Sequence, residues 1–289
     1  MTEPMMLPAA DGLKLAADVY GPEDGPPLLL LHGMGQTRQS WGQAGERLAA
    51  QGWRAYAIDM RGHGDSDWPE QSAYEHGDVG RDVTALCELF EQPPLVVGAS
   101  MGGVCSLVAQ SSSDQQLFRG LVLVDIAPDV DMEGGKRIMS FMAANEHGYD
   151  SLEDAAKSIS AYRGSTRTPS TSGLAKVLRK HEDGRWHWHW DPRMLDSRKG
   201  WINDATAAEA YGQKMRAVMV AGGERLTVPT LLVRGGSSDV VSAEAAQALT
   251  QIIPHATFVD VADATHMVAG DKNDAFTQAI LDFAEPLLP

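Results

Sequence analysis

Residues 96–103 read VVGASMGG, and at their centre Gly98–Ala99–Ser100–Met101–Gly102 forms a G-x-S-x-G pattern. A serine hydroxyl is a weak nucleophile until a base takes its proton and a third group orients that base. The chemistry within its reach is acyl transfer: attack on a carbonyl, an ester-linked intermediate, then release by water. On a sharp strand-to-helix turn the nucleophile's backbone is strained, and side chains two residues before and after it would collide. Glycine at 98 and at 102 removes that collision. A helix opening just after Ser100 adds partial positive charge where an anion would develop. Without partners, the same stretch is a glycine-rich turn with an idle hydroxyl.

Partners of the right types follow later in the chain. Asp239 lies in GGSSDVV and His266 in DATHMV, each just past an apolar run. Sites in open α/β sheets form at the carboxyl ends of the strands. His266 is the candidate base by position, since the chain holds nine histidines and type alone selects none. Asp239 is the candidate acid. Asp125, which follows the run at 121–124, is its rival, and Asp263 is too close to His266 in sequence to be preferred. The oxyanion of a tetrahedral intermediate needs backbone N–H donors already in place. Met101, directly after the serine, offers one. The loop HGMGQT at 32–37 offers the other at Met34, with Gly33 and Gly35 allowing close approach. His32 reads as a brace for that loop.

Six short apolar runs must position these groups, at 26–33, 53–60, 93–100, 120–128, 228–236 and 256–263. They are nearly continuous rather than alternating, as strands buried on both faces are. Helical stripes lie between them. Val79, Val83, Leu86 and Phe90 share one face over 74–91, and Val104, Leu107 and Val108 follow Ser100. Ser242 is a predicted N-cap for a helix over 242–253, and Phe276, Ile280, Phe283 and Leu287 mark the last helix. Strand and helix alternate, which gives an α/β, doubly wound, mostly parallel sheet. The alternation breaks between Pro128 and Val228. That segment shows helix-like pieces near 134–147, 151–162, 171–181 and 201–221 and no apolar strand run. The domain reading is a core of 1–127 and 228–289 carrying a helical cap at 128–227.

Composition limits the partners. The 289 residues carry a formal charge of −15, with 43% hydrophobic and 22% charged residues. An acidic surface repels phosphate backbones and anionic membranes, so neither nucleic acid nor membrane is an expected partner. No apolar run reaches spanning length, and the first residues lack the basic and apolar regions of a signal peptide. Cys87 and Cys105 are the two cysteines and imply no disulfide framework. The expected setting is cytoplasmic, as a monomer or homodimer.

Taken together, HGMGQT, DMRGHGDSD at 59–67, GASMGG, LLVRGGSSDVV and ATHMVAG resemble the α/β-hydrolase fold superfamily over nearly the whole chain. They look most like its bacterial serine hydrolase and esterase branch, with a helical cap between the sixth and seventh strands. The resemblance implies Ser100 as nucleophile, Asp239 as acid, His266 as base, Met34 and Met101 as oxyanion donors, and neither metal nor organic cofactor. It treats Arg61, His63 and Asp65 as structural. Epoxide hydrolases and haloalkane dehalogenases of this fold use an aspartate nucleophile, and dehalogenases follow it with tryptophan. Ser100 and Met101 depart from both patterns.

The expected activity is hydrolysis of small to medium apolar carboxylic esters. Three alternatives stand beside it: C–C bond hydrolysis of a vinylogous diketone, perhydrolysis with the same triad, and a non-catalytic receptor on the same fold. The C–C substrate would carry a carboxylate, for which Arg179 and Arg193 are available. In the cap, RWHWHWDPR at 185–193 follows the turn signal Asp183–Gly184. On a strand its tryptophans face one way and its histidines the other, so the tryptophans pack the cap on the core and a metal site at the histidines is disfavoured. The cap's methionines suit an adaptable apolar pocket.

Overall fold

A computed structural model describes residues 3–129, 132–162, 171–175, 177–196, 200, 203–238, 240–262 and 274–289. Asp239 and His266 lie outside the described residues.

The six apolar runs form six strands: β3 (Pro27–Leu31), β4 (Arg54–Ile58), β5 (Leu95–Ala99), β6 (Gly120–Val124), β9 (Thr230–Gly235) and β10 (Thr257–Val261). They pair in parallel in the order β4-β3-β5-β6-β9-β10. Two further strands, β1 (Glu3–Pro8) and β2 (Lys14–Tyr20), extend the β4 edge in antiparallel fashion. These two are absent from the sequence reading. The segment KLAADVY is alanine-rich and EPMMLP holds two prolines, which an edge strand tolerates.

Alternate residues of each inner strand feed opposite faces of the sheet. Leu29, Leu31, Val96 and Leu123 pack against Val79, Val83 and Leu86 of helix α2 (His76–Cys87) and Cys105 and Leu107 of α3 (Met101–Ser111). Leu28, Leu30, Val97 and Val122 pack with Trp41, Leu48 of α1 (Gly42–Gln51) and Phe276 and Ile280 of the last helix, Asp274–Ala284. Burial on both faces explains why the runs are continuous. Each such leucine or valine contributes about 1.5–3 kcal/mol relative to exposure. Phe90 lies past the end of α2 but packs, on Tyr56, against the same cluster as Val79, Val83 and Leu86.

Between β6 and β9 lie α4 (Met132–Ala144), α5 (Leu152–Tyr162), the short α6 (Thr171–Leu174), an antiparallel pair β7 (Leu178–Lys180) and β8 (Trp186–Trp188), and α7 (Ala205–Glu224). The short α6 covers the start of the helix expected near 171–181, and the pair β7–β8 replaces its end. The Asp183–Gly184 turn, with Gly184 at φ 80°, folds the chain back so that Leu178–Lys180 pairs with β8. Helix Ala243–Ile252 starts at Ser242, whose hydroxyl accepts the Ala245 N–H at 3.1 Å, as the cap residue predicts. No described helix is long and apolar enough to cross a membrane.

Candidate active site

Ser100 joins β5 to α3 with φ 46° and ψ −112°, outside the regions an L-residue normally occupies. Its N–H donates to the Val124 carbonyl at 2.9 Å, and its carbonyl accepts the first bond of α3, from Val104. The flanking glycines are steric necessities. A Cβ on Gly98 would stand 2.5 Å from the Gly103 nitrogen, and one on Gly102 would stand 2.6 Å from the Leu31 carbonyl oxygen. Both obstacles are backbone, so neither can swing aside. Ser100 is half-buried at the carboxyl edge of the sheet.

The loop after β3 closes on this serine. A Cβ on Gly33 would stand 3.3 Å from the Ser100 Cβ. Two histidines wire the loop to the scaffold. His32 is fully buried; its Nε2 accepts the Met60 N–H at 3.0 Å and its Nδ1 donates to the Gly33 carbonyl at 2.8 Å. Those partners require the neutral Nδ1–H form, and burial holds its pKa below the ordinary histidine value. His63 Nε2 accepts the Gly35 N–H at 3.1 Å, and its ring meets His32 edge-on at 4.8 Å. The Gly33 N–H donates to Gln36 Oε1 at 3.1 Å. With 33 and 35 engaged, Met34 between them has an N–H without an acceptor among the described residues. Met101 opens α3, where a helix N–H lacks an intrahelical acceptor.

Asp125 ends β6 just as abruptly, at φ 50°. Its side chain is buried, and its two oxygens accept from the last residue of β9 and from the loop that follows. Gly235 N–H donates to Oδ1 at 3.0 Å and Ser238 Oγ–H donates to Oδ2 at 2.6 Å. Arg234 grips the same loop from its other side, donating to the Val241 carbonyl at 2.7 Å and pairing with Asp260. This loop carries position 239. The roles of Ser238 and Arg234 are absent from the sequence reading; SSD and VRG are too common to single out.

The DMRGHGDSD loop is scaffold. Arg61 donates to both carboxylate oxygens of Asp82, at 2.6 and 2.7 Å, with both side chains buried. Asp59 accepts from the backbone N–H of Arg38 and of Asp65 and pairs with the Arg38 guanidinium. The segment 189–193 docks on this loop. Gly64 N–H donates to the His189 carbonyl at 2.7 Å and Asp191 N–H to the Gly62 carbonyl at 2.8 Å. Asp191 then accepts from the Tyr74 hydroxyl and from Arg193. Met142 and Trp190 cover Gly35: a Cβ there would lie 3.2 Å from Met142 Cε and 3.8 Å from Trp190 Nε1. Trp186, Trp188 and Trp190 pack in apolar clusters. Arg193 is held by Asp191 and the carbonyls of Pro69 and Glu70, and Arg179 pairs with Asp65. Both arginines available in sequence to a substrate carboxylate are therefore engaged. Among the described residues no group of three or more His, Cys, Asp or Glu side chains is placed to hold a metal ion.

The chain as a whole is similar to known proteins of one fold family. The family model described as alpha/beta hydrolase fold matches residues 26–272. The 2-(acetamidomethylene)succinate hydrolase of Mesorhizobium japonicum is 28% identical over 273 residues, 94% of this chain and 92% of that protein. An esterase of Mycobacterium tuberculosis is 26% identical over 259 residues, 88% of this chain and 81% of its own. The crystal structure of an alpha/beta hydrolase from Novosphingobium aromaticivorans superposes with a TM-score of 0.77 at 22% identity, covering 98% of each chain.

Proposed function

The chain belongs to the α/β-hydrolase fold family, and from that premise we propose that it is a serine hydrolase cleaving small to medium apolar carboxylic esters through an acyl-enzyme. The observation that carries this reading is Ser100, held at a positive φ outside the usual backbone regions between two glycines that admit no side chain. Strain of this kind persists where the surrounding structure enforces it, and it clusters at reactive groups.

In the proposed mechanism His266 takes the Ser100 proton as Oγ attacks the ester carbonyl. The oxyanion accepts from the N–H groups of Met34 and Met101. His266 then protonates the leaving alcohol, and water, deprotonated by His266, releases the acid. Asp239 orients the imidazole, following the chain order serine, acid, histidine. A second reading gives that task to Asp125, and its favouring observation is specific: a buried carboxylate on a left-handed residue one strand from Ser100. The segment 128–227 acts as a cap whose Met142 and Trp190 wall the oxyanion loop. The resemblance to a 2-(acetamidomethylene)succinate hydrolase favours a variant of the proposal in which the same groups cut a bond other than an ester.

Labelling with a fluorophosphonate tests the nucleophile. Wild-type protein is expected to label at Ser100 and to turn over p-nitrophenyl acetate. Ser100→Ala is expected to do neither. Full turnover by Ser100→Ala overturns the proposal.

A further inference from the structure

We propose that Ser238 is a positioning residue for this reaction: its hydroxyl ties the Asp125 carboxylate to Val240 and Val241 at the carboxyl edge of the sheet. The inference rests on the reading of Ser100 as the nucleophile and of a carboxylate on this edge as the acid.

A hydroxyl has one hydrogen and two lone pairs. At Ser238 all three are committed. Oγ accepts the N–H groups of Val240 at 3.3 Å and Val241 at 3.1 Å, so its hydrogen is left to Asp125 Oδ2 at 2.6 Å. The backbone N–H of Ser238 donates to the Gly235 carbonyl at 2.9 Å, which closes the turn from the other end. Asp125 Oδ1 takes the Gly235 N–H at 3.0 Å, so one carboxylate grips the turn at residues 235 and 238. From outside, Arg234 Nε donates to the Val241 carbonyl at 2.7 Å.

The carboxylate cannot adapt by rotating freely. Asp125 is 2% exposed, its backbone is fixed at φ 50°, and its own N–H is tied to the Val233 carbonyl at 2.7 Å. A buried carboxylate needs its donors, and hydrogen bonds to charged groups are the strong ones. Removing the Ser238 hydroxyl takes one donor from Asp125 and strands two backbone N–H groups together. Either acid assignment is served. If Asp125 is the acid, Ser238 sets its angle directly. If Asp239 is, Ser238 is the position directly before it, and these bonds anchor that position.

The test is a double-mutant cycle on p-nitrophenyl butyrate hydrolysis. Ser238→Ala is expected to lower kcat roughly tenfold or more, with KM within about twofold. In an Asp125→Asn background the same substitution is expected to add no further loss, because the clamp is already broken. The isosteric pair Ser238→Thr and Ser238→Val isolates the hydroxyl should the alanine variant fail to fold, with Thr expected to exceed Val by a similar factor. A wild-type kcat in Ser238→Ala, equal losses with and without Asp125, or equal rates for Thr and Val overturns the inference. Turnover by Ser100→Ala overturns the functional reading instead, so the two failures are separable.

Discussion

Ser100 and Asp125 end neighbouring parallel strands, each at a positive φ. Their φ angles are 46° and 50°, and each donates its N–H to the strand one place further along, Ser100 to Val124 at 2.9 Å and Asp125 to Val233 at 2.7 Å. A sparsely populated positive-φ conformation costs a non-glycine residue about 1–3 kcal/mol. Among the described residues only Asp11 shares it, in an exposed turn. Two such residues side by side at the carboxyl edge aim a hydroxyl and a carboxylate away from ordinary strand alternation.

That pairing predicts a large effect at 125. Asp125→Asn is expected to lower kcat at least a hundredfold on p-nitrophenyl butyrate, whether Asp125 is the acid or supports it. Asp239→Asn measured beside it assigns the role, since the greater loss marks the acid. An Asp125→Asn enzyme with normal kcat and melting temperature would leave the carboxylate without function.

The elbow is tight enough to be tested sterically. Gly102→Ala puts a Cβ 2.6 Å from the Leu31 carbonyl oxygen, so α3 must lift off β3. Overpacking of this kind costs about 1–3 kcal/mol, and the loss of activity should exceed the loss of folded protein because Ser100 moves with the helix. Gly77 is the control. It is exposed in α2 with nothing within 4 Å of a built Cβ, so Gly77→Ala is expected to gain up to about 1 kcal/mol in urea melts.

The six parallel strands were legible because burial on both faces leaves a continuous apolar run such as Leu28–Leu31. The elbow was legible because sterics at Gly98 and Gly102 restrict the residue type. What was not legible depends on tertiary partners. Strand β2 carries Ala16, Ala17 and Asp18, and the sheet buries alanines that composition alone would give to a helix. Asp18 is satisfied by Arg38, twenty residues on, which no local pattern announces. Leu178–Lys180 reads as helical until Trp186–Trp188 pairs with it. Asp125 could be named as a rival acid from its place after β6, but Ser238 and Arg234 became visible only when the β9 loop was folded against it.

A pH dependence of stability follows from His189. Burial, then the Arg179 guanidinium, lowers its pKa from 6.5 to about 4, and its Nε2 is buried without a hydrogen-bond partner among the described residues. The unfolded chain therefore binds more protons at this site between pH 6.5 and 4, so stability falls as pH drops through that window and levels off below it. Urea melts at pH 7 and pH 5 should show His189→Leu losing less stability on acidification than the wild type. A difference between the two proteins that stays constant with pH would count against the assignment.

Two charged contacts dock the β7–β8 hairpin and the segment after it, and their burial predicts unequal worth. Arg179 and Asp65 are 49% and 44% exposed, so Arg179→Ala is expected to cost at most about 1 kcal/mol. Asp191 is 1% exposed and takes hydrogen bonds from Tyr74 and Arg193. Asp191→Ala removes the buried acceptor of the Tyr74 hydroxyl and the carboxylate partner of Arg193, which is 38% exposed and keeps the Pro69 and Glu70 carbonyls, at a cost of about 1–3 kcal/mol. The consequence reaches the site by a short path. Asp191 fixes the segment paired to Gly62 and Gly64, His63 between them holds the Gly35 N–H, and Trp190 lies over Gly35. Loosening that wall is expected to raise KM for p-nitrophenyl butyrate severalfold in Asp191→Ala and to leave it unchanged in Arg179→Ala. Equal KM values in the two variants would show that the docked segment does not shape the pocket.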